Sequence, residues 1–267
     1  MKINISLSQI QIELGNPQFN LETSIFQIVE ANKRGSDVIL FPELWTTGYE
    51  LDNCENLAKE NQFLSSKLKD LSSKFDITIG GSMIIAAQNQ FYNEFRLFFP
   101  NGSIAAYRKI HLFGLMNEKK HFTAGESPII INSPIGKIGL ATCYDLRFPE
   151  LFRVYGIEQV DMVFIVAEWP LKRIQHWDTL LKARAIENQF FVAAVNTIGI
   201  INNETFGGSS TIIDPWGETI VSGSKDKQEL LSGQCDLEKV KSARSNISVF
   251  TDRQPEVYNG IMKINIY

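Results

Sequence analysis

The chain has 267 residues, 44% hydrophobic and 21% charged, with a formal net charge of −4. Those are ordinary values for a globular protein with a sizeable core, and they leave no electrostatic case for nucleic acid or an acidic membrane surface. The longest apolar run, Met162 to Ala167, is too short to span a bilayer, and Cys54, Cys143 and Cys235 show no paired spacing, so a reduced, cytoplasmic setting is expected.

The amino terminus alternates Ile3, Ile5 and Leu7 with polar residues. It reads as a strand with one buried face rather than a signal peptide. Asn20 is expected to cap a helix carrying Leu21, Ile25, Ile28 and Val29, with Gly35 as its stop. Asp37 to Phe41 is a short apolar strand, and Pro42 fixes where it ends. Glu43 therefore hangs from the carboxyl end of a buried strand, where α/β sites lie. A second helix is expected from Ala58 to Phe75, with Phe63, Leu64, Leu68 and Leu71 inward. Strand Ile77 to Ile85 follows, and Asn101-Gly102 signals a hairpin between Phe91–Phe99 and Ser103–Tyr107.

That hairpin runs into Tyr107-Arg108-Lys109, and a loop carrying Glu118 spans Phe113 to Pro128. Ile129 to Ile131, a Ser133–Gly136 turn and Ile138 to Ala141 lead to Thr142-Cys143. Asp161 to Ala167 is another buried strand, ending at Glu168-Trp169-Pro170. A helix is expected from Ile174 to Gln189, with Trp177, Leu180, Leu181 and Ile186 inward. Strands Phe191–Asn196, Ser210–Ile213 and Glu229–Cys235 and a helix from Leu237 to Arg244 complete the pattern. Strands and helices alternate in two sets without a composition break, as in one domain whose helices cover two packed sheets. Residues 1–244 form that domain, and residues 245–267 are a tail expected to pack on it or on a partner subunit.

A strand that stops on a cysteine and turns into a helix can present a nucleophile. Backbone N–H groups at such a turn favour a thiolate and stabilise an oxyanion. Glu43, Lys109, Glu118 and Cys143 would together supply acid–base, cation and thiol for acyl transfer. Each alone reads as an ordinary surface charge or a small buried thiol. His111, His121 and His176 are scattered and fit no zinc spacing, so no metal site is expected.

Taken together, FPEL (Phe41 to Leu44), YRKIHL (Tyr107 to Leu112) and GLATCYDLRFPEL (Gly139 to Leu151) resemble the nitrilase superfamily of carbon–nitrogen hydrolases. The resemblance runs from the first strand to about Arg244. It implies a four-layer α-β-β-α sandwich, paired into a homodimer or a higher homo-oligomer. It also places the family's glutamate, lysine and cysteine on Glu43, Lys109 and Cys143. The second glutamate falls on Glu118, aligned by the following FTAG. In the implied mechanism Lys109 and the backbone N–H of Tyr144 hold the oxyanion of a small-molecule amide substrate, and no metal or organic cofactor takes part.

The stretches AEWPLKRIQHWDTLLKARAIENQ and GGSSTIIDPWGE resemble the omega-amidase branch, which acts on the terminal amide of 2-oxo acids such as 2-oxoglutaramate. A substrate of that kind carries a carboxylate at its far end, for which Arg173 is the candidate partner. Phe113, Trp169, Phe206 and the Tyr144 ring are expected to wall the pocket. Arg147 and Asp145 are expected to lock the turn, and Arg184 and Glu187 to be structural. Three rival readings stay open. One is another target, such as a nitrile, an N-carbamoyl amino acid or a deaminated-glutathione amide. The second is a cysteine–histidine hydrolase using His111 or His176, and the third is a non-catalytic binding protein on this fold.

Overall fold

The computed structural model describes the backbone of residues 1–262 and the side chains through residue 258. Its first half runs β1 (Lys2–Gln9), α1 (Pro17–Lys33), β2 (Val38–Leu40), α2 (Cys54–Phe75), β3 (Thr78–Ala87), β4 (Gln90–Phe98), β5 (Ile104–Arg108) and the single turn α3 (Glu118–His121). The second half runs β6 (Ile130–Ser133), β7 (Gly136–Thr142), α4 (Pro149–Ile157), β8 (Met162–Ala167), α5 (Ile174–Asn188), β9 (Phe191–Asn196), β10 (Ile198–Ile201), β11 (Glu204–Gly207), β12 (Thr211–Ile213), β13 (Thr219–Ser222) and β14 (Glu229–Asp236). Two helices, α6 (Glu238–Asn246) and α7 (Pro255–Met262), follow.

The strands form two six-stranded sheets, ordered β14-β1-β2-β3-β4-β5 and β13-β12-β9-β8-β7-β6. In each, three neighbouring strands are parallel and the flanking ones antiparallel: β1, β2 and β3 in the first, β7, β8 and β9 in the second. The parallel strands are buried on both faces, so β2 and β8 read as unbroken apolar runs. Side chains from the two facing sheets, among them Leu7, Leu40, Phe95, Leu140, Phe164 and Val195, interdigitate as the central core. Ile28, Leu64 and Leu68 cover the outer face of the first sheet against Ile39, Ile79 and Met83. Phe152, Tyr155, Trp177 and Leu181 cover the second against Val163, Ile165 and Val192. The order of layers is α-β-β-α. No helix among the described residues is long and apolar enough to cross a membrane.

Several local expectations are corrected. The N-cap of α1 is Asn16, whose side chain accepts from Phe19 N, and not Asn20. Asn20 lies inside the helix, where its buried amide donates to Glu13 O at 2.7 Å and Thr46 O at 2.9 Å. It thereby ties α1 to the loop that follows Glu43. Phe63 and Ile186 are exposed, because helical spacing turns each away from its helix's buried stripe, Leu57, Leu64 and Leu68 on α2 and Trp177, Leu181 and Ala185 on α5. The β10–β11 hairpin was not anticipated, although Asn202 and Asn203 both take positive φ, the signature of a two-residue type I′ turn. Of the tail, Ile247 O accepts from Gln189 Nε2 and the Phe250 ring lies under the Arg153 and Arg244 guanidinium groups. Residues 263–267 lie outside the described residues.

Candidate active site

Two strand ends from opposite sheets make the site. After β2, Pro42 ends the ladder and the backbone turns sharply at Leu44, φ 43°, whose N–H donates to Ser82 Oγ at 2.8 Å. After β7, the backbone turns at Cys143 itself, φ 46°. A non-glycine residue in this region stores strain of about 1–3 kcal/mol, held only when the surroundings fix it. Here Asp145 fixes it. Its carboxylate, fully buried, accepts from Thr142 N at 2.9 Å, Tyr107 Oη at 2.7 Å and His111 N at 3.0 Å. The His111 ring bonds the same carboxylate at 2.8 Å and stacks on Phe148.

Lys109 extends β5, its N–H donating to Asn93 O at 2.9 Å. Gly125 of the FTAG segment donates to Lys109 O at 2.8 Å, and a Cβ there would lie 2.1 Å from Arg108 O, so only glycine permits the approach. The Lys109 ammonium donates to Glu43 Oε1 and to Glu118 Oε1, each at 2.7 Å, and all three side chains are wholly buried. Asn93 Nδ2 donates to Glu43 Oε1 at 2.8 Å, Tyr49 Oη to Glu118 Oε1 at 2.6 Å and Phe113 N to Glu118 Oε2 at 2.6 Å. Glu43 Oε2 accepts from Glu168 N at 3.0 Å, and the charge of Glu43 acts on the nearby Cys143 thiol. The Cys143 sulfur also lies 3.8 Å from Glu168 O.

Burial pushes the Cys143 thiol well above its ordinary pKa, and the negative charge of Glu43 adds to this while Lys109 opposes it. Burial alone would lower the Lys109 ammonium, but the charges of Glu118 and Glu43 outweigh it and raise the group. Burial raises Glu118 against the pull of Lys109. Its oxygens nonetheless accept from Lys109, Tyr49 and Phe113, the pattern of a carboxylate. Burial, then Glu43, holds the Glu168 carboxyl well above the usual range.

The sulfur opens onto a narrow cleft lined by Phe113, Cys143, Tyr144, Arg147, Glu168, Trp169, Pro170 and Arg173. Neither Arg147 nor Arg173 has a carboxylate within salt-bridge distance among the described residues. Arg147 lies over the Trp169 ring and Arg173 over the Phe113 ring. Phe206 does not line this pocket. It pairs with Pro170 from behind and packs with Phe41, Trp45 and Ile201 in the outer core. Arg147, expected only to lock the turn, reaches the pocket instead, and the locking falls to Asp145. A larger groove between β5 and β6, bordered by Asp37, Ile104 and Pro134, is lined by no cysteine, histidine or lysine. No group of three or more His, Cys, Asp or Glu among the described residues has metal-holding geometry.

The pattern of the carbon-nitrogen hydrolase family matches residues 4–245. The chain belongs to the carbon-nitrogen hydrolases. It is 38% identical over 261 residues to a 2-oxoglutaramate amidase of Bacillus subtilis, covering 97% of this chain and 100% of that protein. It is 36% identical to the omega-amidase YafV of Yersinia enterocolitica, covering 81% and 84% of the two chains. Among solved structures, the carbon-nitrogen hydrolase superfamily protein XC1258 of Xanthomonas campestris, which carries an arsenic adduct in its active site, superposes with a TM-score of 0.88. The identity is 26%, over 95% of this chain and 98% of that one.

In this carbon-nitrogen hydrolase the structure brings Glu43, Lys109, Glu118 and Cys143 into one buried cluster, with Tyr144, Phe113, Trp169 and Arg173 on the adjoining pocket. Sequence reasoning missed Asn93, Tyr49 and Glu168. Glu168 follows an apolar strand and precedes a proline by two residues, much as Glu43 stands directly after one. That signal was available. Asn93 and Tyr49 carry no local signal, because their roles depend on which strands and loops become neighbours.

Proposed function

We propose that this chain is a cysteine-dependent amidohydrolase that removes the terminal carboxamide of a small 2-oxo acid, 2-oxoglutaramate-like, and releases ammonia. The observation that carries the reading is one ammonium shared by two buried carboxylates beside a buried thiol, under a pocket with two guanidinium groups. In this reading Glu43 Oε2 takes the proton of Cys143, since Oε1 is already occupied by Lys109 and Asn93. The thiolate attacks the carboxamide carbon, forming a C–S bond. Lys109 and the Tyr144 N–H stabilise the oxyanion. The C–N bond then breaks, and the nitrogen leaves as ammonia with the proton from Glu43. Water, deprotonated by Glu43, cleaves the thioester to the carboxylic acid and restores the thiol. Glu118 holds Lys109 in place and carries no proton in transit.

The distal carboxylate of the substrate meets Arg173, and Arg147 across the pocket joins it. Names of similar proteins support this substrate class. His111 is held on Asp145 and neither it nor His176 lines the pocket, which disfavours a histidine base. The same reading makes the protein a homodimer or a higher homo-oligomer. The half-exposed Val154 and Ile157 on α4, beside Val249 and Tyr258 of the tail, support that assembly. Three buried free cysteines fit a cytoplasmic setting.

The test is ammonia release from a panel of omega-amides, neutral short amides, nitriles and N-carbamoyl amino acids. Wild type should prefer the omega-amide of a short dicarboxylic oxo acid, and Cys143→Ala should release none. Arg173→Ala should raise KM for that substrate about 10–100-fold, the loss of one bidentate ion pair. An unchanged KM removes Arg173 from the site, and a preference for nitriles or carbamoyl substrates overturns the substrate class.

A further inference from the structure

Glu168 is a buried carboxyl at this site that the mechanism above leaves unused. It is only 1% exposed and lines the pocket beside Cys143. Glu43 and Glu118 have donors on both of their oxygens, whereas Glu168 Oε1 is buried with no hydrogen-bond partner. Such an atom is costly to bury, and in a substrate pocket it marks where a ligand brings the missing partner.

The main chain of Glu168 is fixed at both ends. Its N–H donates to Glu43 Oε2 at 3.0 Å, and its carbonyl faces the sulfur at 3.8 Å. The residue is therefore anchored to the base on one side of its Cα and to the nucleophile on the other. Burial and the charge of Glu43, with Glu118 adding and Lys109 opposing, push the carboxyl well above the usual range and so toward its protonated form. Arg147 and Arg173 share the pocket with it. A protonated carboxyl is uncharged and presents a carbonyl oxygen as an acceptor.

A primary carboxamide held for attack by Cys143 brings two polar groups. Its oxygen goes to Lys109 and the Tyr144 N–H, and its nitrogen departs on the Glu43 side. We infer that Glu168 is a substrate-contacting specificity residue whose side-chain oxygen accepts one N–H of the scissile carboxamide, so that the pocket selects primary amides over esters of the same acid. The inference rests on the amidase reading above. Holding one N–H also orients the nitrogen lone pair toward the proton that Glu43 returns. An ester offers no N–H, and its alkoxy oxygen is a weak acceptor.

The experiment compares kcat/KM for a primary omega-amide with that for the methyl ester of the same acid, in wild type, Glu168→Met and Glu168→Gln. Glu168→Met, close in volume but without an acceptor, should lower the amide value about 30-fold and the ester value less than about 3-fold, the asymmetry of a lost hydrogen bond to one substrate only. Glu168→Gln keeps a carbonyl acceptor and should recover most of the amide-to-ester ratio. Equal falls for both substrates would assign Glu168 to the common carbonyl oxygen or to structure, and overturn the inference. So would a ratio that Glu168→Gln fails to recover. Should Glu168→Met not fold, Glu168→Leu, which also lacks an acceptor, replaces it in the same comparison. Wild type that cleaves the ester but no primary amide would overturn the amidase reading itself, before any variant is made.

Discussion

Replacing Lys109 with methionine separates what this residue does for folding from what it does for chemistry. The ammonium sits 2.7 Å from two carboxylates, Glu43 and Glu118, and all three side chains have no exposed surface. Removing one partner of a buried ion pair costs about 3–5 kcal/mol, because a charge is left without compensation. Two are left here, and they repel. Burial already raises Glu118 above its ordinary pKa, with Lys109 as the main opposing influence. Without Lys109, one of the two carboxyls should stay protonated in the folded state well above the unfolded carboxylate pKa of about 4.3.

The sign follows from linkage. The folded variant then holds one more proton than the unfolded chain, so stability falls as pH rises, at about 1.4 kcal/mol per unit. Urea unfolding at pH 5.5 and pH 8 should therefore show the deficit of Lys109→Met growing with pH, by up to about 3 kcal/mol across that interval, relative to wild type. Turnover should behave differently. Loss of an oxyanion donor costs about 10²–10³ in rate, and acid should not restore it even where it restores folding. A deficit equal at both pH values would refute the shared-ammonium picture. Turnover that recovers along with stability would refute the oxyanion role.

Two further substitutions test the neighbours of Lys109. Glu43→Gln should lower the Cys143 thiol pKa, read from the pH dependence of iodoacetamide alkylation, because the negative charge of Glu43 holds that thiol up beyond what burial does. The same variant should lose about 10²–10⁴ in turnover with the general base, and a thiol pKa that stays put or rises would show that Glu43 does not face the sulfur. Asp145→Ala removes the acceptor of Thr142 N, Tyr107 Oη and His111 N at once. Thermal or urea unfolding should show a loss of about 3 kcal/mol or more, from buried donors left unpaired, and a loss under about 1 kcal/mol would mean that the strained Cys143 turn is held by something else.

The layer order was legible because burial on both faces leaves a mark that needs no partner. β2 and β8 are apolar throughout, and each ends where a proline or a polar residue stops the ladder. Helix edges were less legible. On α2 the apolar character of Phe63 suggests burial, but its place one helical step off the Leu57, Leu64 and Leu68 stripe leaves it exposed while Leu64 is buried. The cap of α1 was misread for a related reason. Asn16 and Asn20 both suit a helix start, and only the loop after Glu43, delivered by tertiary packing, gives Asn20 its two carbonyl partners.

The site divides along the same line. Glu43 and Cys143 advertise themselves by ending strands, and Lys109 by sitting in a motif. Arg147 and Phe206 could not be placed from sequence, since Arg147 lies in the turn after β7 and Phe206 in the unanticipated strand β11, and only the direction of the backbone decides what each faces. At Phe206 the pairing with Pro170 turns the ring into the outer core, while at Arg147 the left-handed turn at Cys143 brings the guanidinium onto the pocket. The strain at Cys143 thus acts twice. It aims the sulfur, and it delivers a second cation to the wall that a substrate carboxylate would meet. A substitution that relaxes the turn should accordingly raise KM for carboxylate-bearing amides as well as lower kcat, and Asp145→Ala assayed on a charged and a neutral amide separates the two effects. If KM moves equally for both amides, Arg147 owes its position to something other than this turn.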